Sequence, residues 1–401
     1  MSAPPARPAR LRHPIFALGA LATFALVVGL GLAEALVRGY QRIWPKRDRA
    51  YIRYEGPTLA LPDTLLGWRP RPDATVTLRS PEYQSTLHTN KFGFRWTAWD
   101  SLAACRVVVI GDSFVAGNAV DADSLFWAVA ARESHCSVVG LGVEGYSTDQ
   151  ELLLLREYLP MLRPTAVVLA FYDNDIWNNR EASWEGHRKP RFEFHNGNLT
   201  RVAGSAALTE HPSLLTLHQV PQESQRNSKR GWLARHSRLS QLIASVVSPA
   251  RLDVASAMLV APLRDEMRVY HTPFDPDIAE AWVVTEALIR EMARDAAAAG
   301  AHRFLLLHAP LRETVTPVQW QAAAEFWRMG PDWTPRSVQA ELQRVCLANA
   351  IACLFPAEEL RRLQESGTPA YFLGDPHWTN AGHRAVGRVL ASALRPYPSA
   401  Q

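Results

Sequence analysis

Five short apolar runs, each followed by a stretch of helical pattern, constrain the fold more than any other feature of the sequence. Runs that are apolar throughout are typical of strands buried on both faces, and strands that alternate with helices form parallel sheets covered on both sides. The sequence therefore predicts a three-layer, doubly wound α/β domain. The runs are residues 107–111, 137–142, 166–172, 303–310 and 351–355, and the candidate helices are 123–134, 148–162, 278–299, 335–349 and 380–394.

Two regions depart from this alternation. Residues 50–100 mix proline, glycine and β-forming residues, and predict a small β-rich lead-in without a separate core. The alternating α/β pattern then covers residues 101–396, but an insertion at about 176–276 is too long and polar for an ordinary loop. Inside the insertion, an apolar stripe from Trp232 to Val246 favours packing against the domain, with a substrate lid or a partner surface as alternatives.

The amino-terminal region contains the longest apolar stretch. After a tail at residues 1–13, residues 14–37 carry Glu34 as their only charge. A span of about 20 apolar residues matches a bilayer core, so we expect a single-pass transmembrane anchor. A cleaved signal peptide is the alternative, because the residues around Glu34 fit a small-residue cleavage pattern, although the run exceeds the usual length of about 7 to 15 residues. Basic residues flank both ends, so charge alone does not settle the topology.

The distribution of charge bears on the partners. The formal net charge is +4, but residues 1–49 hold eight basic and two acidic side chains, so the rest of the chain is slightly acidic. A nucleic-acid binder carries its basic excess on the folded domain. We therefore expect no nucleic-acid partner, and a membrane contact through the amino-terminal helix.

The four cysteines are compatible with an oxidising compartment, since an even number can pair. Cys105 and Cys136 each precede a predicted strand, and they come within bridging distance if those strands are neighbours. Four buried thiols that act as small hydrophobic groups are the alternative. The spacing of the histidines and cysteines does not match a metal-ligand pattern, so neither a metal nor a cofactor is expected.

Four polar segments lie where ligands of open α/β sheets bind, after the strands or in the last loop. Ser113 follows the first predicted strand, within Gly-Asp-Ser-Phe. The glycine-rich segment that includes Gly145 follows the second strand, and Asn174, whose amide can donate to an oxyanion, follows the third. In the last loop, His377 can act as a base and Asp375 can orient it.

Each segment also has a plain structural interpretation as turn chemistry, and Ser113 as a helix cap. By chance alone, about one chain in ten of this length contains Gly-Asp-Ser. Together, however, the four segments supply every part of an acyl-transfer site. A second histidine, His383, competes for the role of base, but Thr379 or Asn380 is a plausible helix cap. This places His383 on the surface of a helix, so we predict His377.

The order of these segments resembles the SGNH, or GDSL-type, hydrolase superfamily of esterases and acyltransferases, over roughly residues 105–390. The resemblance implies a flavodoxin-like sheet, Ser113 as the nucleophile and His377 as the catalytic base. It also implies an oxyanion hole made by the backbone N–H groups of Ser113 and Gly145 and by the side chain of Asn174.

Two departures from the family pattern affect the expected chemistry. Tyr172 stands where the third family motif has glycine, and Asp375 precedes the base by two residues where the family usually has three. The Asp-x-His spacing is similar to that of the membrane-associated alginate O-acetyltransferase branch.

The resemblance implies a serine esterase that cleaves O-acyl esters, most of all O-acetyl esters, through a Ser-His-Asp acyl-enzyme mechanism. With the anchor, it implies an acylated glycan or small molecule as substrate and a catalytic domain outside the cytoplasm, in a bacterial periplasm. A glycan O-acetyltransferase with the same triad is one alternative. A catalytically silent glycan-binding or scaffold protein is another.

Overall fold

The computed structural model describes residues 21–26, 28–34, 53–80, 82–184, 187–202, 265–372 and 375–395. Residues 21–26 and 28–34 are helical and belong to a compact unit made of residues 1–48 and 221–262. In the described ranges, no helix is both long enough and apolar enough to cross a bilayer. The rest of the predicted anchor and the predicted stripe at 232–246 lie outside the described residues.

All other described residues belong to a second compact unit. Its strands are β1 (Arg53–Glu55), β2 (Ala60–Asp63), β3 (Gly67–Pro70), β4 (Thr75–Arg79), β5 (Gln84–His88), β6 (Arg106–Gly111), β7 (Ser137–Gly142), β8 (Ala166–Tyr172), β9 (Ser183–Trp184), β10 (His187–Arg188), β11 (Phe192–His195), β12 (Asn198–Arg201), β13 (Arg303–Ala309) and β14 (Ala352–Leu354). Its helices are α1 (Ser113–Ala116), α2 (Phe126–Ser134), α3 (Thr148–Leu162), α4 (Asp175–Asn178), α5 (Asp265–Arg268), α6 (Pro276–Ala298), α7 (Arg312–Val315), α8 (Pro317–Trp327), α9 (Ser337–Ala348), α10 (Ala357–Glu365) and α11 (Asn380–Leu394).

A five-stranded parallel sheet, in the order β14-β13-β8-β6-β7, forms the middle layer. Numbered along the chain within this sheet, the order is 2-1-3-4-5, as in flavodoxin-like folds. The strand order reverses between β6 and β8, and ligands of such sheets bind at the carboxyl ends beside that reversal. The predicted three-layer fold is confirmed, and this topology places the end of β6 at the expected binding position.

Burial on both faces explains why the strands are apolar throughout. In β6, Val108 and Ile110 join the cluster that contains α3, α6 and α9, whereas Val107 and Val109 join the cluster that contains α2, α10 and α11. All four side chains are at most 1% exposed. The parallel sheet therefore has a hydrophobic layer on each side.

The chain before the central sheet forms what we term the N-terminal β region, residues 53–99 without Pro81. It contains the antiparallel sheet β1-β4-β5 and the hairpin β2-β3. Three of its side chains form a small cluster of their own, whereas Leu66, Trp68 and Phe94 join the main core. The region is rich in β-strands and packs against the α/β layers.

The described ends of the insertion form local structure. The pairs β9-β10 and β11-β12 are antiparallel, and α4 and α5 are single short helices.

The four cysteines form two disulfides, Cys105 with Cys136 and Cys346 with Cys353. Cys105 and Cys136 precede β6 and β7, which are neighbours, so the structure contains the bridge rather than the alternative of buried thiols.

Candidate active site

The strand-to-helix turn after β6 presents Ser113 at the first position of α1. The residue before it, Asp112, caps the helix: its Oδ1 accepts a hydrogen bond from the backbone N–H of Phe114 at 2.9 Å. The interpretation of Ser113 as a helix cap is therefore wrong, because its neighbour has that role. With the backbone held by Asp112, the Ser113 hydroxyl remains available to other partners.

The last loop is closed at its base by backbone pairing. Tyr371 and Trp378 form an antiparallel bridge, and the N–H of Phe372 donates to the carbonyl oxygen of His377 at 3.1 Å. Trp378 is fully buried, and its ring centroid lies 4.6 Å from that of Phe114 in α1. This packing fixes the loop against the helix that carries Ser113.

The three predicted catalytic side chains meet in one chain of hydrogen bonds. His377 Nε2 lies 2.7 Å from Ser113 Oγ, and His377 Nδ1 lies 2.5 Å from Asp375 Oδ1. The backbone N–H of His377 also donates to Asp375 Oδ1, at 3.0 Å. With the proton on Nδ1, Nε2 can accept the Ser113 proton, which is the arrangement that a general base needs.

The charges around the imidazole change its proton affinity. Burial alone would lower the pKa of His377, but the carboxylate of Asp375, with smaller contributions from Asp112 and Glu144, raises it to about 9. Burial opposes the charged form of Asp375 too, yet the charge and hydrogen bonds of His377 hold the pKa of Asp375 well below its usual range. Asp375 is therefore ionised throughout the range in which His377 titrates.

Asp112 is a second carboxyl group beside the nucleophile. It is 1% exposed, and this burial raises its pKa to about 6. Its Oδ2 lies 3.4 Å from Ser113 Oγ, farther than the 2.7 Å to His377 Nε2. The Ser113 hydroxyl therefore lies closer to His377 than to Asp112.

His383 lies in the first turn of α11, as expected, with Thr379 as the cap. The side chain is only 1% exposed, so this face of the helix packs against the core and not against solvent. Its Nδ1 accepts a hydrogen bond from the backbone N–H of Phe126 at 3.4 Å. Burial, with the positive charge of His377, lowers the pKa of His383 to about 3. This histidine is therefore a neutral packing residue.

The predicted oxyanion donors follow β7 and β8. Gly145 has φ +76°, and a Cβ there would lie 2.9 Å from the Trp184 indole, so both conformation and space require glycine. Asn174 precedes α4, and its Oδ1 is buried without a hydrogen-bond partner in the described part of the chain. Ser113, Asp375 and His377 line one cavity, which we term the catalytic cavity. Glu144, the neighbour of Gly145, also lines it, but Gly145 and Asn174 do not. Their role in an oxyanion hole stays a prediction.

The residues that flank Asn174 are tied to other parts of the fold. Asp173 accepts hydrogen bonds from His308 Nε2 at 2.6 Å and from the backbone N–H of Leu311 at 2.9 Å. Asp175 accepts one from the Thr148 hydroxyl at 3.1 Å. These two buried carboxyl groups anchor the backbone on both sides of Asn174.

The catalytic cavity has a volume of about 30 Å³, and two residues that the sequence did not single out also line it. The Tyr83 hydroxyl donates to Asp375 Oδ2 at 3.2 Å, and Glu144 accepts a hydrogen bond from Asn118 Nδ2 at 3.2 Å. No motif signals Tyr83, because it lies 30 residues before the nucleophile in the N-terminal β region. In the described ranges, no group of three or more acidic, histidine or cysteine side chains is placed to hold a metal.

Comparison with known proteins finds no matching protein-family model and no matching curated protein. Among solved structures, a GDSL-like lipase from Bacteroides thetaiotaomicron is 15% identical, with a TM-score of 0.33 and coverage of 72% of this chain and 87% of that one. The esterase EstA from Pseudoalteromonas sp. is 8% identical, with a TM-score of 0.35 and coverage of 72% and 95%. A carbohydrate esterase family 2 enzyme from Corynascus thermopiles is 14% identical, with a TM-score of 0.34 and coverage of 80% and 75%. Identities of 8–15% and TM-scores of 0.33–0.35 do not establish a function for this chain.

Proposed function

We propose that this protein is a serine esterase that cleaves O-acyl esters through a covalent acyl-enzyme. The observation that carries the proposal is the hydrogen-bond chain from Ser113 Oγ through His377 to Asp375, at 2.7 and 2.5 Å. This chain lies at the carboxyl end of β6, beside the reversal of strand order.

The proposed reaction has two steps. Ser113 Oγ attacks the ester carbonyl while His377 Nε2 takes its proton, and Asp375 stabilises the resulting imidazolium. His377 then returns the proton to the departing alcohol, which leaves an ester on Ser113. Water then attacks this ester while His377 takes a proton from it. His377 returns that proton to Ser113 Oγ as the free acid leaves, which restores the serine.

The oxyanion would be held by donors at the ends of the strands. The backbone N–H of Ser113 and that of Gly145 are candidates, with the Asn174 amide as a third. A single donor of this kind is worth roughly 3 to 4 kcal/mol in the transition state. Residues 173 and 175 are anchored by hydrogen bonds on both sides of Asn174, which supports its assignment to a fixed position.

For the substrate, we propose an O-acetyl ester on an envelope glycan, with the catalytic domain outside the cytoplasm. The cavity of about 30 Å³ beside Ser113 suits a small acyl group. The disulfide between Cys105 and Cys136 supports an oxidising compartment, and the apolar residues 14–37 support attachment to a membrane. A sugar hydroxyl in place of water would make the same site an O-acetyltransferase.

A second cavity favours a different candidate, an esterase for longer acyl chains. This cavity, of about 60 Å³, lies next to the catalytic one and shares Asn118 and Glu144 with it. Its walls are mostly apolar and include Trp68, Trp127 and Trp184. An alkyl chain that passed the Asn118–Glu144 hydrogen bond would find an apolar environment there.

Aryl esters of increasing chain length separate these candidates. The full-length protein would be assayed with aryl acetate, butyrate and octanoate, beside Ser113→Ala. We expect hydrolysis of the acetate that falls by at least about 10³-fold in Ser113→Ala. A preference for the octanoate would select the second candidate, and equal activity in Ser113→Ala would overturn the serine mechanism itself.

A further inference from the structure

Two side chains of the N-terminal β region reach groups of the triad or of the helix that carries the nucleophile. They are Tyr83, in the turn between β4 and β5, and Arg95, after β5. Neither belongs to the α/β layers that supply Ser113, Asp375 and His377. Each of them makes hydrogen bonds to defined atoms of these groups.

Tyr83 hydrogen-bonds to the carboxylate oxygen of Asp375 that does not contact His377. Its hydroxyl donates to Asp375 Oδ2 at 3.2 Å, whereas both hydrogen bonds from His377 go to Oδ1. The ring packs against Phe372 with a centroid distance of 4.9 Å, and the Tyr83 N–H donates to Ser80 Oγ at 3.1 Å. With hydrogen bonds to both oxygens, the Asp375 carboxylate is restricted in rotation while it faces His377 Nδ1.

Arg95 donates hydrogen bonds to carbonyl groups at the carboxyl end of α1, the helix that carries Ser113. Its Nη1 donates to the carbonyl oxygens of Ala116 and Gly117 at 3.1 and 2.5 Å, and its Nη2 donates to that of Val120 at 2.9 Å. Carbonyl groups at a helix end lack partners within the helix, and a cation there is favourable. Because α1 has only four residues, the hydrogen bond that fixes the Ala116 carbonyl also restricts the position of Ser113.

The burial of Arg95 is unusual for a cation. The residue is 7% exposed, and its described contacts include three backbone carbonyls but no carboxylate within ion-pair distance. Burying a guanidinium costs free energy that hydrogen bonds must offset. An apolar residue would fill this space without that cost, so the fork of the guanidinium across three carbonyls is the feature that distinguishes arginine here.

We propose that the N-terminal β region completes the catalytic site, with Tyr83 as the positioning residue for Asp375 and Arg95 as the positioning residue for Ser113. This inference rests on the proposed serine-esterase function. It assigns the region a part in catalysis beyond that of a structural lead-in to the domain.

Tyr83→Phe tests the first contact, with Tyr158→Phe as the matched control. Tyr158 is also mostly buried, but it packs on Phe94 and does not line the catalytic cavity. For Tyr83→Phe we expect kcat to fall about tenfold with KM within about twofold, because the carboxylate is less well oriented. Tyr158→Phe should match the wild type in both constants.

The pH profile separates positioning from a merely structural role. The groups that face His377 are Asp375, Asp112, Glu144 and the neutral His383. Without the Tyr83 donor, more of the Asp375 charge acts on the imidazolium, so the acid limb of kcat/KM should move to higher pH. A profile that coincides with that of the wild type in height and midpoint would overturn the role of Tyr83, and so would a lower kcat with an unmoved limb.

Arg95→Met and Arg95→Lys test the second contact, with Arg71→Met as the control. Arg71 lies in the same region, but its side chain bonds only to Thr58 among the described residues. We expect Arg95→Met to lower kcat by at least about tenfold, Arg95→Lys to recover part of the loss, and Arg71→Met to resemble the wild type. If Arg95→Met does not fold, Arg95→Lys decides the matter: wild-type kcat in that variant would overturn the role of Arg95.

Failure of the positioning roles and failure of the proposed function would give different kinetic results. Wild-type hydrolysis that Ser113→Ala abolishes, together with undiminished kcat in Tyr83→Phe and Arg95→Lys, would overturn this inference and leave the proposed function standing. Wild-type protein without any Ser113-dependent hydrolysis would overturn the proposed function, and this inference with it.

Discussion

The last loop and the first turn of α11 each present a histidine to the same cavity, and the two differ in almost every property. His377, in the loop, is partly exposed and hydrogen-bonds to Ser113 and Asp375. His383, in the helix, is 1% exposed and bonds to a backbone N–H. The pKa of His377 is raised to about 9, whereas that of His383 is lowered to about 3.

The difference shows that a charged partner, more than burial, decides which histidine can exchange protons. Burial acts in the same direction on both, because it disfavours the imidazolium. At His377 the ionised Asp375 reverses that effect, whereas at His383 the nearby charges of His377 and Arg95 add to it. Six residues of sequence separation thus divide a group suited to base catalysis from one suited to packing.

The largest expected effect comes from removing the two histidines in turn. His377→Ala should lose at least about 10³-fold in kcat, because the nucleophile then has no base. His383→Ala should keep kcat within about tenfold, with a lower melting temperature from the space left in the core. Steady-state kinetics on an aryl acetate and thermal unfolding check both. If His383→Ala were the inactive variant and His377→Ala stayed active, the comparison would be reversed.

Asp375→Asn should have the next largest effect. The amide is nearly the same size as the carboxylate, so the fold should survive, but it cannot hold the imidazole in the same tautomer or stabilise its charge. We expect kcat to fall by about 10² to 10⁴-fold and the acid limb of the rate profile to move to lower pH. Circular dichroism and a pH series of kcat/KM measure these changes. An unchanged midpoint would mean that Asp375 is not the cause of the raised pKa of His377.

The wild-type pH dependence should itself be alkaline. The base must be neutral to accept the Ser113 proton, and with its pKa raised to about 9 only a small fraction of His377 is neutral at pH 7. We expect kcat/KM to rise about tenfold per pH unit below the midpoint, and about 100-fold from pH 7 towards its plateau. Initial rates between pH 5 and 10, corrected for spontaneous hydrolysis, test this. A plateau already reached at pH 7 would contradict it.

The smallest expected effect is on stability, and it has opposite signs for the two histidines. The pKa of His383 in the folded state lies below the usual value near 6.5. As the pH falls from 6.5 towards 3, His383 therefore takes up a proton in the unfolded chain but not in the folded one, and the free energy of unfolding decreases. This costs up to about 1.4 kcal/mol per pH unit. The raised pKa of His377 acts oppositely: its contribution is fully present below pH 6.5 and is lost as the pH rises towards 9.

Urea unfolding of the wild type and of His383→Gln at pH 7 and pH 5 isolates the first contribution. The free energy of unfolding should fall by less in the variant than in the wild type between these two pH values. The same decrease in both proteins would show that His383 is not the group responsible.

The fold was predictable because its signal is spread over many residues. Apolar strands such as β7 and β8 have the predicted bounds, 137–142 and 166–172, and α11 begins and ends where its cap and apolar spacing indicate. Local motifs also placed Ser113, Asp375 and His377, because each motif lies at a strand end or in the last loop. Because the carboxyl ends of the parallel strands lie side by side, groups that follow these strands come close together once the sheet forms.

The remaining features depend on contacts that no local pattern encodes. The burial of His383 follows from its packing against Phe126 of α2, with ring centroids 6.0 Å apart, and not from its position in the first turn. Tyr83 meets Asp375 across 292 positions of sequence, so only the folded chain brings them together. Asp112 was part of the quoted motif, but its capping role required the backbone geometry of the turn.

Covalent labelling of the nucleophile tests the assignment of Ser113 most directly. Full-length protein would be treated with an alkyl phosphonate ester that traps activated serines, and its mass measured before and after digestion. We predict one adduct per chain, on Ser113, formed faster at pH 9 than at pH 7 and absent in Ser113→Ala. An unmodified wild-type protein, or an equal adduct in Ser113→Ala, would contradict the assignment of Ser113 as the nucleophile.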